Sequence, residues 1–334
     1  MNVHRAHVAE ALEAISIRSK NRFAWLGETS PAPPRGLASV LSEATARAVL
    51  IRALRARLYE SFYCTGGVVE AERGDADSRE PPDEALVAAL SRSNAGRGSW
   101  QHGWRIDGMD ADGLVVVRDG IRAWARRSEC RAERDALEIG AAVSVALPAE
   151  LPALSPGFLT VVGDMDLGAE PGALIVRLYF NVSCAGAPRL VAELTSPLNR
   201  ARVPFRLKVT DHPMRYGRCD AAVLYLHASD FGRMRGLLRG AVEACARELQ
   251  PRTPVFTKPL APGVGVGEEG GGAGAESFGT RRCLLLAQGA VAAHEGRIRD
   301  LRGRLSTVER CFADVGIDLD APYLERGSED GYSL

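Results

Sequence analysis

Lysine is scarce in this chain, and its few positions suggest where an amine could act chemically. Only three of the 42 Lys and Arg residues are lysine, at Lys20, Lys208 and Lys258. A partly buried lysine ammonium can lose its proton near neutral pH, whereas a guanidinium stays charged. Lys208 and Lys258 lie in strand-like segments, so both are candidates for a titrating amine. The competing interpretation is chance retention on an exposed strand face in a protein from a GC-rich genome.

Two strand-like segments predict a cationic surface around Lys208. Residues 174–181 and 204–210 alternate apolar and polar side chains with the period of two of a half-buried strand. If both strands belong to one sheet with their apolar sides on the core, the polar residues share the opposite face. These residues are Arg177, Tyr179, Asn181, Arg206, Lys208 and Thr210. Paired guanidinium groups bind phosphate or carboxylate. An anion-binding surface and an ordinary solvated sheet face both remain open.

The turn that follows Lys208 adds further polar groups. Residues 211–220 contain His212 and Tyr216, together with Arg215 and Arg218. A histidine in a turn is usually an ordinary surface residue. His212 is of interest because it lies four residues from both Lys208 and Tyr216.

A glycine-rich segment, residues 263–274, is flanked by Lys258 and by Arg281 and Arg282. It is not a Walker A loop, because no Gly-Lys-Ser/Thr follows. We expect the two arginines in the first turn of a helix, where backbone N–H groups favour an anion. The segment is interpreted as a mobile lid, with a flexible surface loop as the alternative.

Composition limits the classes of protein and partner. The chain has 334 residues with 46% hydrophobic and 25% charged residues and a net charge of zero. This balance is that of a globular protein without bulk attraction to nucleic acid or an anionic membrane. The seven scattered cysteines form no CxxC pair and predict neither a disulfide framework nor a zinc site. No secretory signal or membrane span is recognisable, so a cytoplasmic location is expected.

The order of predicted elements favours an α+β fold, with helices first and then a mostly antiparallel sheet with interspersed helices. We expect a helical N-terminal region at 1–97, an α+β domain at 98–325 and a tail at 326–334, with the two regions either separate or one continuous domain. The predicted helices cover residues 4–20, 36–63, 83–94, about 190–198, 229–249 and 280–313, the last weakened by Gly289, Gly296 and Gly303. The predicted strands cover residues 104–106, 114–117, 121–124, 143–147, 158–162, 174–181, 204–210 and 220–226.

Several short segments together resemble a known family. Among them are Val176-Arg177-Leu178-Tyr179-Phe180-Asn181 and Val203-Pro204-Phe205-Arg206-Leu207-Lys208-Val209. The others are residues 90–98, Trp100, 103–104, 198–199, Tyr216, Arg218, 220–225, 254–258, 260–265, 276–279 and 282–283. Over about residues 50–295 the chain is similar to the HopA-type family, first named for bacterial type III effectors. Relatives occur in actinobacterial gene clusters for class V lanthipeptides and thioamitides. The Gly-Glu-Glu-Gly-Gly-Gly insertion departs from the family's compact loop.

The resemblance implies a phosphoserine/phosphothreonine lyase that acts on a phosphorylated precursor peptide beside a kinase-like partner protein. Elimination of phosphate would give dehydroalanine or dehydrobutyrine, and neither a metal nor another cofactor is expected. We assign Lys208 as the base, although exchanging its role with that of Lys258 remains open. His212 or Tyr216 would be the acid. The phosphate would be held by Arg177, Arg206, Arg218, Lys258 and Arg282.

Two alternatives stay open. One is a non-catalytic subunit that binds a phosphopeptide or leader peptide for a kinase or cyclase, and the other is a type III effector-like protein. The sequence does not fix the oligomeric state.

Overall fold

Helices and antiparallel sheets make up the fold of the computed structural model, which describes residues 2–31, 42–69, 80–133, 136–168, 173–270 and 276–334. Every strand pair within these ranges is antiparallel. The predicted α+β class is therefore confirmed.

The elements follow one another in a mixed order. The helices of the described ranges are α1 (Val3–Ala14), α2 (Glu43–Leu58), α3 (Glu84–Ser93), α4 (Ala187–Arg200), α5 (Ala228–Ala244), α6 (Phe278–Glu295) and α7 (Leu301–Ala313). The first strands are β1 (Ile15–Ser19), β2 (Arg22–Trp25), β3 (Glu28–Thr29), β4 (Ser99–Met109), β5 (Gly113–Arg118), β6 (Ile121–Arg126), β7 (Cys130–Ala132) and β8 (Ala142–Leu147). The remaining strands are β9 (Glu150–Ser155), β10 (Phe158–Val162), β11 (Ile175–Phe180), β12 (Arg206–Thr210), β13 (Ala222–His227), β14 (Lys258–Ala261) and β15 (Val264–Glu269).

The largest sheet has seven strands in the order β14-β15-β11-β13-β12-β10-β9. Its central strands fix a register in which Arg177 pairs with Tyr225, and Tyr225 pairs with Arg206. One step further along, Lys208 pairs with Val223 on one side and with Thr160 on the other. Cross-strand partners lie on the same face of a sheet, so all of these side chains share one face.

The opposite face of this sheet is apolar and packs against α4 and α5. The predicted helical stripe of α4 is confirmed, because Leu190, Val191, Leu194 and Leu198 are all buried in this core. Sheet residues at alternating positions, such as Leu207, complete it. Burial of this face therefore turns the polar positions of β11 and β12 to the other side.

A second helical layer covers part of the polar face. Helix α2 and the π-helical turn Tyr59–Tyr63 pack with α6 in a cluster that also contains Tyr179 and Val223. Tyr179 contacts the Tyr63 ring edge-to-face at 6.3 Å and is only 2% exposed. Tyr179 therefore lies on the face that the sequence assigns to it, but the second helical layer, which the sequence does not reveal, covers it.

The N-terminal region is not helical throughout. Helix α1 ends at Ala14, and β1 pairs with β2, which pairs with β3, where the sequence predicts helix to residue 20. The helical spacing of Val8, Leu12 and Ile15 is real, and all three are buried. Ile15 fits the pattern of the helix and also begins the strand, so the period alone cannot locate the boundary. Much of the second predicted helix is confirmed in α2, which starts from the Ser42 N-cap; its predicted start at 36 lies outside the described residues.

A smaller sheet forms between α3 and β9. Its five strands have the order β6-β5-β4-β8-β7 and enclose a core of their own, in which Trp104, Leu114 and Val143 are buried. The strands predicted at 104–106, 114–117, 121–124 and 143–147 all fall in it. The short edge strand β7 was not predicted.

The long C-terminal helix predicted over 280–313 is two helices. Helix α6 ends with Gly296 as its C-cap, and Asp300 caps the start of α7. The two helices pack closely against each other at Gly289. A Cβ atom on this glycine would lie 2.6 Å from the Cα of Val308. Gly296 thus lies at the break between the helices, and Gly289 permits their close approach.

In the part that the structure describes, the glycine-rich segment is not the mobile lid that the sequence suggests. Gly265 and Gly267 lie within β15, in the interior of the protein. A Cβ atom on Gly267 would lie 2.7 Å from the Phe278 ring, and one on Gly265 would lie 2.5 Å from the Thr257 hydroxyl. These glycines allow other residues to approach the strand closely. Residues 271–274 of the predicted lid lie outside the described residues.

Residues 314–334 pack across α6 and the end of β15. Ile317, Leu319 and Tyr323 are buried, and so is Tyr332 within the predicted tail.

None of the helices in the described ranges is long and apolar enough to cross a membrane.

Stability should fall on acidification because of a buried histidine in α1. His4 is 5% exposed, and burial, together with the nearby His7, lowers its pKa to about 4. Protonation of His4 therefore favours the unfolded chain, in which this histidine titrates near 6.5. We expect His4 to contribute stability fully above that value and to lose roughly 2 kcal/mol as the pH falls toward 4.

Urea unfolding at several pH values measures this effect. His4→Leu should flatten the pH dependence of the free energy of unfolding, because leucine cannot titrate. The control is His294→Leu at an exposed position of α6, which should leave the slope unchanged. An equal slope in the wild type and His4→Leu would contradict the assignment.

Candidate anion-binding site

Three cationic side chains lie together where the polar face of the seven-stranded sheet is not fully covered. We call Arg177, Arg206 and Lys208, together with Tyr225 and Glu269, the cationic face. Tyr225 is at its centre, cross-strand from both arginines. The Arg177 guanidinium carbon lies 4.8 Å from the centroid of the Tyr225 ring, and the Lys208 Nζ lies 5.5 Å from it. The electron-rich ring partly offsets the repulsion between these neighbouring charges.

Lys208 is half-buried on β12, and within the described ranges its side-chain amine makes neither a hydrogen bond nor an ion pair. Burial lowers the pKa of its ammonium, and the charges of Arg177 and Arg206 lower it further, against the opposing effect of Glu269. A lower pKa increases the neutral fraction of the amine at a given pH. Lys208 is therefore suited to accept a proton.

Several polar atoms around Lys208 lack hydrogen-bond partners in the described part of the chain. They are the hydroxyls of Thr160 and Thr210 and the Nε of Arg206, all buried. Thr160 is the cross-strand partner of Lys208, and the other two lie two residues on either side of it. Buried polar groups are normally paired. Their concentration on one face leaves hydrogen-bonding capacity next to Lys208 unused.

Arg177 is held by a carboxylate. Its Nε and Nη2 both contact one oxygen of Glu269 at the end of β15. The Glu269 carboxylate is the negative charge next to the three cations, so the cationic face keeps a net positive charge. The phenol of Tyr225 keeps its proton, because burial raises its pKa.

Arg218 lies at one end of the same face. Its guanidinium carbon is 5.4 Å from the centroid of the Phe158 ring, and Phe158 neighbours Thr160 on one face of β10. Two guanidinium nitrogens donate to the two carboxylate oxygens of Asp220, and Nη2 also lies 3.2 Å from the Cys64 sulfur. This fork fixes the orientation of Arg218.

The structure does not bring His212 or Tyr216 to the cationic face. His212 caps the 3₁₀ turn Pro213–Arg215, with its Nδ1 accepting from the backbone of Met214 at 3.3 Å. Tyr216 belongs to the apolar core on the other side of the sheet, and its hydroxyl donates to the carbonyl of Thr210 at 2.9 Å. Burial raises the pKa of Tyr216. The turn after β12 thus carries both side chains away from Lys208.

Lys258 and Arg282 are also placed elsewhere. Lys258 pairs with Val266, whose side chain is on the apolar face, and its Nζ binds Asp330 and the carbonyl of Tyr332 at 2.8 Å. Arg282 is 0% exposed in α6 and donates to the carbonyl of Pro322 and to Glu325. Both residues anchor the C-terminal segment. Asn181, which the sequence also places on the face, is buried and donates to the carbonyl of Arg252.

Three residues of the site were not predicted. Tyr225 and Thr160 have a signal in the sequence, because strand alternation within 220–226 and 158–162 assigns them a face once pairing is known. Glu269 has none, since it lies in the glycine-rich segment. Among the residues that the structure describes, no three His, Cys, Asp or Glu side chains are grouped so as to hold a metal ion.

A comparison with protein-family models identifies one family. The HopA1 effector protein family matches residues 149–324, a span that includes every residue of the cationic face. A comparison with curated protein sequences finds no match.

Two solved structures of effector proteins are similar to this chain. The effector from Pseudomonas syringae pv. tomato strain DC3000 is 14% identical with a TM-score of 0.50, covering 97% of this chain and 96% of that one. The effector from Pseudomonas syringae pv. syringae strain 61 is also 14% identical, with a TM-score of 0.46 and coverage of 81% and 88%. At this identity the first likeness concerns the fold alone. Since the family match spans more than half of the sequence, the chain belongs to the HopA1 effector protein family.

Proposed function

We propose that the protein is a lyase that eliminates phosphate from phosphoserine or phosphothreonine in a ribosomally made precursor peptide. The products are dehydroalanine or dehydrobutyrine and inorganic phosphate, as in lanthipeptide-type biosynthesis. The observation that carries the proposal is Lys208, an amine with a lowered pKa and no ion pair in the described residues, beside Arg177 and Arg206.

The reaction requires a base and stabilisation of a leaving anion. Neutral Lys208 removes the proton from Cα of the phosphorylated residue. The electron pair forms the Cα–Cβ double bond, and the Cβ–O bond breaks with its electrons going to phosphate. Lysine is the residue of this cluster whose ammonium loses its proton at a lower pH than usual, whereas a guanidinium keeps its charge.

The arginines on the same face are suited to the leaving phosphate. Arg206 has a buried Nε without a partner in the described ranges, whereas Arg218 is paired with Asp220 and would contribute from the end of the face. Fixed cations stabilise negative charge as it develops on the phosphoryl oxygens. The hydroxyl of Thr160 adds a neutral donor next to Lys208.

The acid of the reaction is reassigned in this proposal. His212 and Tyr216 point away from the face, whereas Tyr225 lies between both arginines and keeps its proton. We therefore propose Tyr225 as the donor that assists the departing oxygen. Lys258 and Arg282 have no part, since both bind the C-terminal segment.

A phosphorylated peptide requires a separate enzyme to phosphorylate it. We propose a kinase-like partner protein for this step, and a cytoplasmic location for both.

A second candidate function is supported by the family. The family and the two similar structures are named as effectors, so an effector-like protein that binds a phosphorylated target without turnover would use the same cationic face. This candidate predicts saturable phosphopeptide binding with an unchanged peptide mass. The lyase predicts loss of phosphoric acid, which differs in mass from hydrolysis back to serine.

Replacing the base should separate binding from turnover. Lys208→Arg keeps a long basic side chain at this position but removes the titrating amine, so we expect elimination to fall by about a thousandfold. Phosphopeptide affinity should change by less than about threefold. Mass spectrometry of a phosphoserine peptide and a binding titration measure the two quantities. Lys20→Arg, at an exposed lysine paired with Glu43, is the matched control. Turnover retained in Lys208→Arg would eliminate Lys208 as the base.

Arg206 should contribute to binding at little cost in stability, because it forms no ion pair in the described ranges. We expect Arg206→Gln to weaken phosphopeptide binding by about tenfold to a hundredfold. The free energy of unfolding should change by less than about 1 kcal/mol. The control is Arg239→Gln on the exposed side of α5. Unchanged binding in Arg206→Gln would place the phosphate elsewhere.

The rate of elimination should depend on pH through Lys208. Because the base must be neutral, the rate rises with pH, and the midpoint lies below the ordinary lysine range. The charge of Arg206 contributes to this lowering, so Arg206→Gln should move the midpoint to higher pH. The profile is measured as kcat/KM, because ionisation of the free phosphopeptide is then the same for both enzymes and cannot produce this shift. Identical profiles would contradict the coupling between the two residues.

A further inference from the structure

Glu269 occupies the edge of Arg177 that a bound phosphate would use. One oxygen of its carboxylate meets both Nε and Nη2, and this edge of a guanidinium can form two-point contacts with anions. The side chains are 12% and 17% exposed, for Arg177 and Glu269 respectively, so the pair remains accessible from solvent. An anion can reach this edge of Arg177 only by replacing the carboxylate.

The backbone next to Glu269 is fixed, so only its side chain is free to leave. The amide of Glu268 donates to the carbonyl of Tyr323 at 2.7 Å, and the Glu268 carboxylate accepts from the hydroxyl of Tyr332 at 2.6 Å. Glu269 itself pairs with Ile175 in the sheet. Rotation of the Glu269 side chain at the end of β15 is therefore the smallest movement that frees Arg177.

Arg177 is held by a second contact when the carboxylate leaves. Its guanidinium also lies over the ring of Tyr225, which is fixed in the central strand of the sheet. The guanidinium thus stays near Arg206 and Lys208 with its two-nitrogen edge exposed. Displacement of Glu269 creates a site without rearranging the sheet.

We propose that Glu269 is an intramolecular competitor that reserves the Arg177 edge for anions carrying more charge than a carboxylate. This inference rests on the proposed function, since it concerns the same site. A peptide aspartate or glutamate replaces one carboxylate by another and gains little to offset the cost of association. A phosphoryl group carries nearly two charges and three acceptor oxygens, so it can engage Arg206 together with Arg177. Unphosphorylated acidic segments would therefore bind too weakly to displace the Glu269 carboxylate.

Binding of three versions of one peptide tests this. They carry, at a single position, the non-eliminable phosphonate isostere of phosphoserine, a glutamate or a serine. Glu269→Gln should tighten binding of the phosphonate peptide by about tenfold, because the bound state no longer competes with a resident carboxylate. The glutamate peptide, undetectable with the wild type, should gain by the same factor and become measurable. The serine peptide should stay unbound.

Two further variants separate the contact from the general effect of charge. Glu243→Gln removes a carboxylate from an exposed position of α5, on the other side of the sheet, and should leave affinity unchanged. Glu269→Asp keeps the charge but withdraws it by one methylene, and should give an intermediate gain. Equal affinity of the wild type and Glu269→Gln, or weaker binding in the variant, would overturn the proposal. A gain in Glu269→Gln with none in Glu269→Asp would also overturn it in favour of a simple field effect.

Failure of this proposal and failure of the lyase proposal give different results. The phosphonate peptide measures binding alone, and elimination is measured separately with the phosphoserine peptide. If Glu269→Gln binds the phosphonate peptide more tightly but the wild type releases no phosphate from the phosphoserine peptide, the competitor proposal stands and the lyase proposal fails.

Discussion

The register of three adjacent strands is the constraint on which the candidate site depends. Pairing of β11 with β13 and of β13 with β12 places Arg177, Tyr225 and Arg206 in one row, with Lys208 a step further along. A slip of one residue in either ladder would turn the arginines into the apolar core, so burial of the opposite face fixes their position. Bringing three cations together opposes folding, and the Tyr225 ring and the Glu269 carboxylate reduce that cost.

Strand alternation carried most of what the sequence could predict about the site. It assigned Arg177, Arg206 and Lys208 to one face, because a period of two is a property of the backbone and needs no knowledge of distant residues. It could not place His212 and Tyr216, which were singled out by their spacing from Lys208 and follow in a turn where the period no longer applies. It placed Tyr179 on the correct face but could not show that the residue is covered, since coverage by α2 and α6 depends on packing between segments far apart in sequence.

The sequence also could not distinguish a ligand-binding cation from one that holds the fold. Lys258 and Arg282 flank the glycine-rich segment, and nothing local separates them from the residues of the cationic face. Their partners are Asp330 and Glu325, from a C-terminal segment that crosses α6. For the same reason the glycines of β15 resembled a mobile loop, although Gly267 is needed because the ring of Phe278 packs directly on the strand.

This arrangement also bears on a conflict in the proposed chemistry. A lysine that accepts a proton is favoured by nearby cations, whereas a lysine that binds phosphate keeps its proton. The described part of the cationic face contains one lysine, and the residues around it that can hold an anion are arginines. Arginine stays charged in contact with phosphate and also lowers the pKa of the neighbouring amine. On the proposed assignment, the same guanidinium groups that stabilise the leaving group therefore also lower the pKa of the base. The arginines keep their charge on the phosphate, and the lysine gives up its proton more readily than an isolated lysine.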